Sequence, residues 1–312
     1  MDRSGLEQYR LTWESRSSLR TRPAKQIDFS LPGDFFSRDK QVLLCLPEIA
    51  SFGEKKIKEI LVLSLYKYLK DIVQLESKWI YSACDSIIYK DLSVKFLDMH
   101  KLNACTIVMD EYYHIYIAYD LLLQLRTAFP HLPELESDFS DSYHAVQTIK
   151  NKLDVKFHEI FEILAVCIFE TTLIRELVSY FDSATVHPCI KYYMNDHMND
   201  ESRHFGFFYG IFCHVWEQMS DEYKQAIGAE LGNFVSIYLN VGGEIKYNKN
   251  ILNWVFNDAE KANTLITKLY VGFTLSPDIP IVKNVLNVLN KAGVLNHKAV
   301  RDGFKKNGLL SD

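Results

Sequence analysis

Residues 107–118 read IVMDEYYHIYIA, and residues 197–208 read HMNDESRHFGFF. Each stretch holds Asp-Glu-x-x-His: Asp110, Glu111 and His114 in the first, Asp200, Glu201 and His204 in the second. Residues three apart lie on one helix face, so each element presents a carboxylate and an imidazole to a common point. A single Glu-x-x-His is unremarkable in a chain with ten histidines. Two of them, each preceded by Asp and each inside an apolar helical pattern, are not.

Working outward, two more carboxylates sit in apolar runs: Glu76 ends Ile72-Val73-Gln74-Leu75-Glu76, and Glu170 ends Ile163 to Phe169. A carboxylate there is costly to bury unless something pairs with it, and a metal ion is an obvious partner. The order Glu76, Glu111/His114, Glu170, Glu201/His204 alternates a carboxylate helix with a Glu-x-x-His helix, the recipe for a two-metal site inside a four-helix bundle. His197, four residues before Glu201, shares its face and makes a seventh ligand. Four carboxylates and three imidazoles suit iron, and manganese fits the same donors. Asp110 and Asp200 are placed to accept the outer ring N–H of a ligating histidine.

The surrounding pattern is all-α. Helical spacing predicts one long helix or two from Lys55 to about Asp91, then helices from about Val94 to Arg126, Tyr143 to Tyr180 and Cys189 to Trp216. Shorter helices follow, separated by Gly242–Gly243 and Pro277–Pro280. Residues 1–50, with Pro23, Pro32, Gly33 and Pro47, read as an irregular arm. Residues 51–312 read as a single domain, with a core over about 55–220 and a helical appendage over 221–312.

Composition narrows the class. The 312 residues are 48% apolar and 24% charged, ordinary for a globular chain. A net charge of -5 offers no basic patch for nucleic acid or anionic lipid. No apolar run reaches the roughly 20 residues needed to cross a bilayer, and the first residues lack the apolar stretch of a secretory signal. The six cysteines form no CxxC pair, and Cys84, Cys105, Cys167 and Cys213 read as small core residues of a reducing, cytoplasmic compartment. No GxGxxG is present, so a separate protein is expected to supply electrons.

The ordered set Glu76, Glu111-x-x-His114, Glu170 and His197-x-x-x-Glu201-x-x-His204 resembles the p-aminobenzoate N-oxygenase family of non-haem di-iron enzymes, over roughly residues 40–240. His197 is the feature that separates that family from six-ligand ferritin-like enzymes. The resemblance implies a ferritin-like four-helix core, two iron ions held by these seven residues, dioxygen as co-substrate, and oxidation of a small amine at nitrogen to a hydroxylamine, nitroso or nitro product. A family member acting on an aryl carboxylate is expected to place a cation near the first Glu. Here the preceding turn offers Asp71 and Gln74, leaving Lys78 and Arg175 as the cations to consider. The same ligands would serve a di-iron enzyme that hydroxylates or desaturates carbon, and an iron-storage or structural bundle is a third reading. A homodimer is the assembly to consider for the enzyme readings, whereas storage bundles of this type form large cages. Tyr112, Tyr113 and Tyr116 either line a cavity or pack; Glu159, Glu162 and Glu176 are expected to be solvated or ion-paired.

Overall fold

A computed structural model of the chain describes residues 3–17, 19, 25–136, 140–172, 181 and 183–311. Every regular element among them is helical, and their one β contact is an isolated bridge between Asp34 and Val186. In chain order the helices of nine residues or more are α1 (Arg3–Arg16), α2 (Gly53–Leu75), α3 (Tyr81–Tyr89), α4 (Asp98–Ala128), α5 (Asp141–Lys150), α6 (His158–Thr172) and α7 (Pro188–Gln218). Then come α8 (Asp221–Tyr238), α9 (Gly242–Phe256), α10 (Ala259–Tyr270), α11 (Pro280–Lys291) and α12 (Lys298–Lys306).

Local chemistry sets several of these limits. Pro188 opens α7, where its missing N–H is no loss, and the His187 side chain accepts the Cys189 N–H. Asp258 caps α10 through the Lys261 N–H at 2.9 Å. α2 passes into α3 through a π-helical turn, Glu76–Ile80, in which the Tyr81 N–H reaches the Glu76 carbonyl. Such turns insert one residue into a helix and often mark functional sites.

Two expectations are corrected. The helix predicted over Tyr143–Tyr180 is interrupted: α5 ends at Lys150, and Asp154 starts a 3-10 turn, Val155–Phe157, by accepting the Lys156 N–H. The stretch Asn151-Lys152-Leu153-Asp154 supplies local hydrogen bonds that compete with the helix. The arm over 1–50 is not wholly irregular, since it opens with α1, which packs on α4 and α7.

α6 is buried on every side from Ile160 to Thr172, as a central helix must be. α7 packs along it, while α2 and α3 pack against α4. The buried apolar side chains form two clusters. One holds Trp79 and Ala83, Ala104 and Ile107, Phe161 to Phe169, and Phe207 to Trp216; the other holds Ile60 to Ile72, Ile117 to Leu125, and Ile190 to Met194. Along α2, α4 and α7 the changeover falls at Glu76, at Glu111/His114 and at His197 to His204. A polar layer therefore crosses an otherwise apolar interior.

The last helices fasten onto this core. α8 and α12 cross at Gly232 and Gly303, where a Cβ on Gly232 would meet the Gly303 carbonyl at 2.4 Å. Only hydrogen fits between the two backbones there.

Candidate metal centre

All seven predicted ligands meet in that polar layer, and all are buried. They form two groups sharing one member: Glu76, His114, His197 and Glu201, and then Glu111, Glu170, Glu201 and His204. In each group one donor atom per residue lies within 4.8 Å of the others, a spacing that one cation can serve.

Glu201 and Glu111 reach both groups. Glu201 Oε1 lies 3.1 Å from His197 Nε2 and 3.5 Å from His114 Nδ1, while its Oε2 lies 3.5 Å from His204 Nδ1. Glu111 Oε1 lies 2.9 Å from His204 Nδ1 and its Oε2 3.5 Å from His114 Nδ1. Each carboxylate thus spans the two groups with its two oxygens, as a bridging ligand must. Glu76 Oε1 lies 3.5 Å from His197 Nε2, and Glu170 Oε2 3.9 Å from His204 Nδ1, closing the two ends.

These approaches do not satisfy the groups that make them. Glu76 Oε2, both oxygens of Glu111, Glu170 Oε2, and Nδ1 of His114 and His204 are buried without a hydrogen-bond partner among the described residues. Six orphaned polar atoms facing one point would be very costly, since buried polar groups are otherwise almost always paired. The donor set fits two hard divalent cations, and the orphaned atoms are the ones such cations would take.

The ionisation of the cluster agrees. Burial and the charge of Glu111 hold Glu76 well above the usual carboxylate range, and burial and the charge of Glu201 do the same to Glu170. Burial also pushes Glu201 up, but the neighbouring His204 and His197 overcome it and hold it well below that range. His204 and His114 are held up against burial by Glu201 and Asp200 respectively, while burial and His114 push His197 down. Protons occupy part of the cluster when nothing else does, so metal and proton compete for it.

Behind the ligands, the two aspartates serve each other's helix. Asp200 Oδ2 lies 3.2 Å from His114 Nε2, and Asp110 Oδ2 lies 3.5 Å from His204 Nε2. Arg203 ties them together: its Nη2 pairs with Asp200 and lies 3.2 Å from Asp110 Oδ2. Asp110 also accepts the Trp13 indole N–H at 2.7 Å and the Ser17 hydroxyl. Behind His197, the Tyr193 hydroxyl lies 3.5 Å from Nδ1. Buried Lys25 pairs with Asp196 one residue before that histidine.

The sequence reading missed Trp13, Ser17, Arg203 and Tyr193. Two had a signal, because Arg203 is three residues from Asp200 and Tyr193 four from His197. Trp13 and Ser17 had none. Tyr112 and Tyr116, left between lining and packing, are exposed, and Tyr113 is half-buried. Glu162 is ion-paired as expected, to Lys150 at 2.7 Å. Lys78 is exposed and does not reach the interior. Arg175 and Glu176 lie outside the described residues.

A cavity of about 360 Å³ borders α2, the helix that leads into Glu76. Its wall includes Ile72 and Leu75, the turn before Glu76, and Tyr238, whose hydroxyl meets Thr172 two residues beyond Glu170. Tyr68 and Phe36 supply aromatic surface. Its charged lining comprises Lys40, Lys67, Asp71, Asp141 and Glu244. Lys67 pairs with Asp71 Oδ2, while Asp71 Oδ1 has no hydrogen-bond partner among the described residues. No helix of the described residues is long and apolar enough to cross a membrane.

No family model matches this chain, and no curated protein does either.

Proposed function

We propose that this chain is a non-haem di-iron oxygenase of the p-aminobenzoate N-oxygenase type, with a ferritin-like core, that oxidises the nitrogen of a small amine. The observation that carries the reading is the convergence of Glu76, Glu111, His114, Glu170, His197, Glu201 and His204 in one buried layer, with two carboxylates spanning two donor groups. The additional histidine, His197, favours the amine-oxidising family over six-ligand relatives.

Glu76, His114 and His197 would hold one iron, Glu170 and His204 the other, with Glu111 and Glu201 between them. The pair of irons, once bound and reduced by an external electron-donor protein, supplies the dioxygen chemistry. The chain's own residues do the rest. Asp200 and Asp110 fix the orientation of His114 and His204. The two apolar clusters on either side of the layer keep bulk water out. The 360 Å³ cavity holds the amine against the Glu76 turn, with Tyr68 and Phe36 as its aromatic walls.

The charge of that wall bears on the substrate. Of its two cations, Lys67 is tied to Asp71 and Lys40 is exposed to solvent, while Asp141 and Glu244 add further negative charge. The lining suits an amine without a carboxylate better than an amino acid or aminobenzoate.

The test is incubation of the iron-loaded, reduced protein with oxygen and a panel of arylamines and alkylamines, with and without carboxylates. Mass analysis is expected to show oxygen added at nitrogen, with the carboxylate-free amines turned over faster. Oxygen at carbon would move the protein to the hydroxylase reading. No oxidised product from any amine would overturn the proposal.

A further inference from the structure

Asp110 makes a contact that helical spacing does not explain. Its Oδ2 lies 3.5 Å from His204 Nε2 and accepts the Trp13 indole N–H at 2.7 Å. One carboxylate oxygen thus joins an aromatic ring to a candidate ligand of the metals through two non-covalent steps. His204 and Asp110 are fully buried, and Trp13 keeps 6% of its surface exposed. Water does not interrupt this path, and the low-dielectric surroundings strengthen its hydrogen bonds.

Trp13 differs from the other oxidisable rings near the layer. Tyr193 comes as near, with its hydroxyl 3.5 Å from His197 Nδ1, but it is 2% exposed and packs inside an apolar cluster. Trp79 is buried in the π-helical turn that begins at Glu76, and its indole N–H has no hydrogen-bond partner among the described residues. Trp13 sits on α1, which packs on α4 and α7 and turns Leu11, Ser15 and Arg16 to solvent. Of the three rings, it is the one that meets a ligand at one end and the surface at the other. Its ring is also set up to lose an electron, since the buried carboxylate at its N–H stabilises positive charge on the indole. Arg203, 3.2 Å from the same oxygen, offsets part of that effect.

We propose that Trp13 is a one-electron relay between the surface of α1 and the metal at His204, passing electrons through Asp110. On the di-iron reading of the site, on which this relay rests, it has a use. Reducing dioxygen to water takes four electrons and four protons, the protons coming from solvent. Two ferrous ions bring two of the electrons, and an amine oxidised to a hydroxylamine supplies the other two. When no amine is in place, the missing two pass through Trp13 one at a time. Each departure leaves the indole as a cation radical whose N–H proton stays in the hydrogen bond to Asp110. An external one-electron donor then refills the ring. Oxygen reduction is completed in this way without oxidising the ligands.

The experiment mixes the full, ferrous-loaded chain with dioxygen, freezes it at intervals and records electron paramagnetic resonance. Neither amine nor donor is added, so an oxidised ring is not refilled. The protein is made with ring-deuterated tryptophan and, separately, with ring-deuterated tyrosine. An organic radical is expected whose hyperfine pattern narrows with labelled tryptophan alone. Trp13→Phe, checked for helix content and bound iron, should lose the signal. Trp79→Phe, Trp216→Phe and Trp254→Phe, made singly, should each keep it, which assigns the radical to Trp13 even where Trp13→Phe does not fold. Three results would each overturn the relay and leave the di-iron reading standing. They are a radical that narrows with labelled tyrosine, a radical that survives in folded, iron-loaded Trp13→Phe, and no organic radical from a chain that holds two irons and consumes oxygen. A chain that binds no iron would overturn both.

Discussion

His114 Nε2 lies 3.2 Å from Asp200 Oδ2, an aspartate carried not by its own helix but by the other histidine-bearing one. Asp110 and His204 repeat the exchange in the opposite direction. With Arg203 between the two aspartates, α4 and α7 are locked in register behind the ligands.

Breaking that lock should loosen the metals without removing a ligand. Asp200→Asn keeps the shape but loses the charge that orients and strengthens His114. Iron affinity is expected to fall by roughly 10- to 100-fold. Competition with a coloured chelator measures it, and an unchanged affinity would assign Asp200 a purely structural role.

The N-terminal helix contributes to the same lock. Trp13→Phe removes the indole N–H from buried Asp110 while keeping the ring. A loss of about 1–3 kcal/mol in unfolding free energy is expected from the underserved carboxylate. The loss should be smaller when Asp110 is already Asn, which a double-mutant cycle by urea denaturation would show.

The pH dependence of stability should reverse with metal content. In the metal-free chain, Glu76, Glu170, His114 and His204 all titrate above their ordinary values of 4.5 and 6.5. A group whose folded value is raised stabilises while protonated and loses that contribution as pH rises through the folded value. Glu201 and His197 run the other way, but only below their ordinary values of 4.5 and 6.5. The melting temperature of chelator-treated protein should therefore fall between about pH 6 and about pH 8. In the iron-loaded protein protons compete with metal, so it should rise over the same interval. Parallel slopes would contradict the assignment.

The appendage depends on one close approach. Gly232→Ala would drive a Cβ into the Gly303 carbonyl region, 2.4 Å away. The backbones must separate, at a cost of about 1–3 kcal/mol. Thermal unfolding should show the loss, with iron content per folded chain unchanged because the ligands lie elsewhere.

What the sequence disclosed follows from the range of each interaction. Glu111 with His114, and Glu201 with His197 and His204, are set by helical spacing and were legible. Glu76 and Glu170 were legible through the apolar runs that enclose them. The exchange of aspartates between helices was not, because spacing along one helix cannot say which neighbour a side chain reaches. Trp13 stands 97 residues from Asp110, and only packing brings them together. The π-helical turn at Glu76 gave no sign, since Glu-Ser-Lys-Trp-Ile contains neither Gly nor Pro. The break after Lys150 was hidden by a hydrophobic periodicity that resumes in nearly the same phase.

The most direct test is metal analysis of the purified chain from iron-supplemented growth, beside Glu111→Ala and Glu201→Ala. Two irons per chain in the wild type and a clear deficit in both variants are expected, because each glutamate spans the two donor groups. A wild-type protein without transition metal, or two variants that each retain both irons, would contradict the account.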